Sequence, residues 1–411
     1  MVKLTKGEKK KELRERKRKK MEMRREQIEK VPETEEFNVE DLSTDIFEDS
    51  ELWWDVFDGL KGDQRLEMLY ATFELGTGEE FWEELELFYA VDRVFNRLAS
   101  NDRVEEGVKL LESLREQRFE HYMEYFTYYD YYLIYYYAPL REEERINEIV
   151  EHFERDPERE VDHLFAVLDV LRLYGRAEDV HRLSSISYQK LKDSDRIVPD
   201  GVDKLNRIAV FSAVRKYITS PDYGTKEAEE ELHKELEDQD FWKGAEAEAD
   251  YRLQKAVKVL RGEIKRDWRR DDFSISNDEC DENVFLFGMD FIRYLNIERS
   301  YEWVTGELFC ELVTNYFSEV SARRGGFYFS FSKEYLDEYL GRFFGFLALS
   351  DAKGMAVLKA MEHFSSFLHH KGIFTDRELK GVKHAIQRFN KSLEEISRKK
   401  SWKYGFLEEW E

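Results

Sequence analysis

Glutamate and histidine recur at a spacing that could place both side chains on one helical face. The spacing Glu-x-x-His occurs at Glu160/His163, Glu178/His181 and Glu230/His233. In di-metal helical bundles such pairs are joined by a further glutamate from each of two other helices. A chain with 89 Asp and Glu residues produces this spacing by chance, so we predict no metal site from it.

The common catalytic and nucleotide-binding motifs are missing from the sequence. There is no GxxxxGK[ST] phosphate loop, no GxGxxG, no HExxH and no GxSxG. The one glycine doublet, Gly325-Gly326, lacks the strand and helix that flank a phosphate-binding loop. We therefore expect a protein that is not an enzyme and binds no cofactor.

Two short stretches could contact a polyanion. Arg323 and Arg324 stand beside Gly325-Gly326 and the aromatic stretch 327–331, and arginines next to stacking rings suit single-stranded nucleic acid or phosphate. Residues 1–30 carry 14 Lys or Arg and 6 Glu, a local charge of +8, so the chain's net charge of −24 leaves −32 for the rest. An acidic body repels nucleic acid, which makes the arm the main predicted phosphate contact. The basic residues of this prediction are Lys9, Lys10, Lys11, Arg14, Arg16, Lys17, Arg18, Lys19, Lys20, Arg24, Arg25, Arg323 and Arg324.

Composition indicates a folded, helical protein. Hydrophobic residues make up 42% of the chain and aromatic residues 15%, enough to form a core. Only five prolines occur, which favours long helices over many-turned sheets. The two cysteines, Cys280 and Cys310, form neither a zinc motif nor a disulfide framework. With no signal-peptide pattern and no long apolar run, we expect a cytoplasmic location and no membrane contact.

Tyrosine is concentrated in one stretch, with nine tyrosines among the sixteen residues from Tyr122 to Tyr137. Aromatic residues occupy every face of the predicted helix, which is typical of a core helix. An aromatic-lined groove for a partner is the alternative. The residues predicted to bind another protein are Tyr128, Tyr131 and Tyr135 of this run and Trp402, Tyr404, Phe406 and Trp410 of the C-terminal tail.

One helical hairpin resembles a known repeat. Leu164, Val167 and Leu171 form an apolar stripe, Gly175 interrupts it, and Val180 resumes it. With Leu173-Tyr174-Gly175-Arg176-Ala177 at the turn, residues 162–191 resemble one helix-turn-helix unit of the tetratricopeptide-like α-solenoid proteins. The resemblance implies an irregular helical array, since the strict repeat period of about 34 residues is missing.

The sequence as a whole predicts an all-α protein, either an irregular α-solenoid or a helical bundle in two blocks. The predicted segments are a basic then acidic flexible arm (1–50), a helical block (51–220), a polar connector (221–282), a second block (283–398) and an aromatic-acidic tail (399–411). Because helical arrays offer extended surfaces, the leading expectation is a non-enzymatic scaffold that binds another protein. The alternative is a nucleic-acid-associated or ribonucleoprotein factor that contacts phosphate through the arm.

Overall fold

The structure, a computed structural model, describes residues 44–76, 79–241, 246–344, 351–399 and 401–410. It divides into two compact units, one ending at Tyr129 and the other beginning at Asp130. Throughout the described ranges the regular elements are helices, and Ser274 and Phe327 form one isolated antiparallel bridge. The predicted all-α class is confirmed. The solenoid or two-block arrangement stays a prediction, and the basic arm lies outside the described residues.

Among the residues that the structure describes, the first unit contains six complete α-helices. They are α1 Ser50–Gly59, α2 Asp63–Leu75, α3 Glu79–Leu85, α4 Leu87–Ser100, α5 Val104–Gln117 and α6 Phe119–Glu124. Its core includes Trp53 and Phe57, whose rings stack at 4.7 Å. The indole nitrogen of buried Trp53 donates to the Thr72 hydroxyl at 2.8 Å, so the polar atom that enters the core is satisfied.

Helix α7, Phe126–Leu140, contains the boundary between the units. The helices of the second unit that follow it are α8 Glu143–Arg155, α9 Val161–Leu173, α10 Ala177–Leu191, α11 Pro199–Thr219, α12 Lys226–Asp238, α13 Glu246–Arg261, α14 Cys280–Arg299, α15 Trp303–Arg324, α16 Lys333–Gly341, α17 Asp351–His370, α18 Asp376–Lys399 and α19 Phe406–Glu409. Within the described part of the chain, none of the helices combines the length and the apolar character needed to cross a membrane.

The tyrosine-rich run is part of the protein interior. Six of its nine tyrosines are buried and the other three are half-buried. The run forms two helices because the chain bends at Tyr125, between α6 and α7. Pro139 lies inside the last turn of α7, where it has no N–H to donate to the carbonyl four residues earlier, and Arg141 at φ 56° follows the helix. Burial on several faces agrees with the core interpretation of this run.

The hairpin at residues 162–191 forms as two helices, α9 and α10, joined at Tyr174–Arg176. Gly175 has φ of +67°, a conformation that favours glycine. A Cβ at this position would also lie 2.8 Å from the Cβ of Glu302. Gly175 therefore allows the end of α9 to approach the residue that precedes α15. The likeness to a repeat family stays a prediction.

The C-terminal tail packs into the second unit. Phe406 is fully buried, and its ring lies 4.5 Å from that of Trp410 and 6.0 Å from that of Tyr174. The Lys403 ammonium donates to the Tyr131 hydroxyl at 2.9 Å and lies over the Tyr135 ring. Aromatic burial and a cation–π contact thus hold the tail against the helices.

We expect Phe406→Ala to lower the free energy of unfolding by about 3 kcal/mol, because it removes a fully buried ring. Urea-induced unfolding followed by circular dichroism measures this loss. Leu407→Ala, at the neighbouring half-buried position, is the control and should cost about 1 kcal/mol or less. Equal effects of the two substitutions would contradict the packing role of Phe406.

Two histidines are held in the second unit without charge. The His163 ring lies edge-on to Tyr131 at 5.5 Å, and His363 Nε2 lies 2.8 Å from the Tyr301 hydroxyl. Burial lowers the pKa of each histidine to about 4. The unfolded chain, with histidine pKa values of about 6.5, binds more protons than the native state between these limits. Stability therefore falls as the pH falls from about 6.5 to about 4.

We expect His363→Gln to reduce this loss by about 1 kcal/mol at about pH 5, because glutamine does not titrate. Urea unfolding at about pH 7 and about pH 5 gives the comparison. His370→Gln, at an exposed position of the same helix, is the control for the replacement of a histidine by glutamine in this helix. The same pH dependence in the wild type and in His363→Gln would show that His363 is not responsible.

Candidate functional site

A cavity of about 730 Å³ opens among α11, α13, α14 and α15 in the second unit. Most of its wall is apolar. The apolar side chains come from three helices: Ile208, Val210, Phe211 and Val214 of α11, Leu253, Ala256 and Leu260 of α13, and Val284, Phe285, Met289 and Ile292 of α14. The volume is within the range of pockets that hold small organic molecules, roughly 300–1,000 Å³.

Helix geometry explains why these residues meet. On α11, Phe211 and Val214 are three residues apart, and on α13 Ala256 and Leu260 are four apart, so each pair lies on one helical face. Gly288 of α14 leaves room opposite α15, because a Cβ there would lie 2.8 Å from the Cys310 sulfur. The apolar stripes of three helices thus face a common space beside α15.

Charged side chains line another part of the cavity, and they belong to a buried cluster that we call the ionic network. Its members are Asp169 and Arg172 of α9, Lys204 of α11, Glu307 and Glu311 of α15 and Lys353 of α17. Lys204, Glu307 and Glu311 also line the cavity, together with Arg207. The network therefore connects the cavity wall to the interior of the unit.

Arg172 is the centre of the ionic network, and its side chain is 0% exposed. Its guanidinium donates to Asp169 at 3.2 Å, to Glu311 at 2.7 Å and to Glu307 at a shorter distance. Lys353 Nζ lies 3.0 Å from Asp169 and 3.9 Å from Glu311. The six members carry three positive and three negative charges when all are ionised.

The spacing of charges along two helices builds this arrangement. Asp169 and Arg172 are three residues apart on α9, and Glu307 and Glu311 are four residues apart on α15, so each pair shares a helical face. The Thr305 hydroxyl donates to the Arg172 carbonyl at 2.6 Å, which joins the two helices beside the charges. Packing α9 against α15 therefore brings an arginine into contact with carboxylates from both helices.

Burial and neighbouring charges shift the pKa values in opposite directions. Burial would raise the pKa of Asp169 and of Glu311, but the nearby cations outweigh it and hold both pKa values below their usual range. For Glu307 burial outweighs the attraction of Arg172, and the pKa is raised. Burial also lowers the pKa of Lys204 and raises that of the Cys310 thiol. Of the two glutamates that line the cavity, Glu307 therefore has a raised pKa and Glu311 a lowered pKa.

The predicted basic and aromatic stretch has intramolecular partners. Arg323 forms a bidentate ion pair with Glu338 at 2.8 and 2.9 Å, and Arg324 donates to the Ser332 hydroxyl at 3.0 Å. Both guanidinium groups lie over the ring of Tyr335. The basic residues predicted in 1–30 lie outside the described residues. Nucleic-acid binding by either stretch stays a prediction.

Most aromatic residues predicted to contact a partner are in the interior. The buried ones are Tyr131, Tyr135, Tyr404, Phe406 and Trp410. Tyr128 and Trp402 are half-buried, and the Tyr128 ring lies 4.2 Å from that of Phe88. Buried rings are not available to a partner in this conformation. Protein binding through these residues stays a prediction.

The Glu-x-x-His pairs do not assemble. His163 packs against Tyr131, and Glu178 forms an ion pair with Arg215 at 2.6 Å. Across the residues that the structure describes, no group of three or more His, Cys, Asp or Glu side chains is placed to hold a metal ion.

Sequence reasoning did not identify the ionic network. A weak signal existed, because Asp169 and Arg172 interrupt an apolar helix, as do Glu307 and Glu311. The same spacing is expected on a solvated helix face, so the pattern alone does not distinguish the two. Lys204 and Lys353 come from distant helices, and only folding brings them to the carboxylates.

We expect Arg172→Leu to destabilise the second unit by about 3–5 kcal/mol, because buried carboxylates lose their shared cation. Unfolding by urea measures the loss. Arg342→Leu removes an arginine that is 48% exposed and paired with Glu319, and should cost about 1 kcal/mol or less. Adding Glu307→Gln to Arg172→Leu should recover part of the loss. A small effect of Arg172→Leu would contradict the central role of this residue.

Comparison with known proteins gives no relative for this chain. No protein-family model, curated protein or solved structure matches it.

Proposed function

We propose that this protein is a non-enzymatic binding protein whose ligand is a small molecule with an apolar body, held in the cavity among α11, α13, α14 and α15. The observation that carries the proposal is a cavity of about 730 Å³ with mostly apolar walls and charged side chains in one part. Ligand sites in proteins combine such walls with a few polar groups that orient the ligand.

The wall supplies the driving force for binding. Phe285 is 39% exposed, and Val210 and Met289 are half-buried, so these side chains present apolar surface to the cavity. A ligand that covers this surface removes it from water, which contributes about 25 cal/mol for each Å² of apolar area. Aliphatic or aromatic ligand bodies therefore fit the wall better than sugars or other polar molecules.

Several observations favour binding over catalysis. The Cys310 thiol is held neutral by burial, which disfavours the thiolate needed for nucleophilic attack. Glu307 and Glu311 both contact Arg172, so their carboxylates are occupied by an internal partner. A role as a protein-binding scaffold, predicted from the helical pattern, is compatible with a ligand site in the same chain and stays a prediction.

Calorimetric titration with decanol tests the proposal on the full chain. We expect saturable binding at one site, which Val210→Trp weakens by about tenfold or more because the indole occupies part of the cavity and covers its apolar wall. Val202→Trp is the matched control, since Val202 is half-buried on the same helix but does not line the cavity. It should bind decanol as the wild type does. Absence of saturable binding to the wild type, or unchanged binding to Val210→Trp, would overturn the proposed function.

A further inference from the structure

Lys204 brings unused hydrogen-bond donors to the cavity. Its ammonium lies 3.5 Å from Asp169 and 4.0 Å from Glu311, which are ion-pair distances but too long for good hydrogen bonds. It also lies 4.6 Å from the centre of the Phe165 ring. No side-chain or backbone acceptor among the described residues takes a hydrogen bond from it. Since the Lys204 ammonium has three N–H donors and lines the cavity, it can donate hydrogen bonds to an acceptor group of a ligand in the cavity.

Arg207 supplies a second cation at the same part of the wall. It is one turn beyond Lys204 on α11, lines the cavity and is exposed. No carboxylate of the described residues lies within 4 Å of its guanidinium, although its charge does act on Glu307. Arg207 can therefore reach a ligand without breaking an ion pair.

The charged side chains that line the cavity balance in number. Lys204, Arg207 and Arg252 are positive, and Asp281, Glu307 and Glu311 are negative. Glu307 and Glu311 also contact the Arg172 guanidinium behind the wall, so these two carboxylates already have a cationic partner. On α11, Lys204 and Arg207 are both positive, so a ligand head group next to them is attracted if it is an anion and repelled if it is a cation.

We propose that the ligand is an amphipathic carboxylic acid, whose carboxylate is bound by Lys204 and Arg207 and whose apolar body lies along α11, α13 and α14. The inference rests on the proposed function and adds the chemical class of the ligand. A carboxylate has two oxygens that accept hydrogen bonds, so it can bind the ammonium and the guanidinium together. Charge-assisted hydrogen bonds of this kind are stronger than those of a neutral alcohol.

Three probes with the same apolar body and different head groups test the inference. Decanoate, decanol and decylamine are titrated into the full chain, decanoate and decylamine below the concentrations at which they form micelles and decanol below its solubility limit. We expect decanoate to bind about tenfold more tightly than decanol, since a hydrogen bond to a charged group contributes more than a neutral one. Decylamine should bind more weakly than decanol.

Two substitutions identify the groups responsible. Arg207→Gln changes an exposed side chain and should weaken decanoate binding by about tenfold, a larger effect than its effect on decanol binding. Lys204→Met should have a similar effect, provided that circular dichroism shows the native helical content. Arg215→Gln is the matched control, because it removes a guanidinium from the same helix at a residue that does not line the cavity. It should bind all three probes as the wild type does.

The results separate this inference from the function on which it rests. If decanol binds and decanoate binds no more tightly, the carboxylate assignment is overturned while the cavity remains a ligand site. The carboxylate assignment is also overturned if decylamine binds most tightly of the three probes. It is overturned as well if the wild type binds decanoate more tightly than decanol but Arg207→Gln does not weaken decanoate binding. If none of the three probes binds, the proposed function and the carboxylate assignment are both overturned.

Discussion

The second unit depends on the burial of one guanidinium. Arg172 is removed from water, and the free energy lost by this desolvation is recovered only if carboxylates surround the charge. Asp169, Glu307 and Glu311 meet this condition, but they are buried in turn and need further cations. Lys204 and Lys353 supply them. Because each buried charge needs a partner of opposite sign, the network constrains the relative positions of the four helices that carry its members.

The cavity is a consequence of the same constraint. Helices α9, α11, α15 and α17 must hold their charged residues within a few ångströms of one another, and this positions one face of α11 and one face of α15. The apolar residues of α11 then face α13 and α14 beside the network. A pocket with an apolar wall next to a charged one results. Lys204, Glu307 and Glu311 thus belong both to the ionic network, which positions the helices, and to the wall that faces the ligand.

Elsewhere in the second unit, buried tyrosines bring polar atoms into the interior, and several of these atoms are hydrogen-bonded. Tyr316 accepts a hydrogen bond from the Ser332 N–H at 2.9 Å and donates to the Ser332 carbonyl at 2.7 Å. The Tyr301 hydroxyl lies 2.8 Å from His363 Nε2. The tail contributes Lys403, which donates to the Tyr131 hydroxyl, lies over the Tyr131 ring and forms an ion pair with Asp351 at 3.8 Å. A tyrosine-rich core therefore accommodates polar groups that an aliphatic core would exclude.

Sequence alone determined the local features of this protein. Apolar periodicity, few prolines and capping residues are properties of neighbouring positions, so the helical class, the hairpin at Gly175 and the start of α18 could be predicted. The Thr375 capping box, for example, forms with Glu378 at 2.8 and 3.3 Å. Tertiary structure decided the ionic network and the cavity. Their residues are separated by up to about half of the chain, and a charged residue on a helix has the same local pattern whether it faces water or a buried partner. Only the packing of helices determines which environment it meets, and thus which side chains surround a ligand.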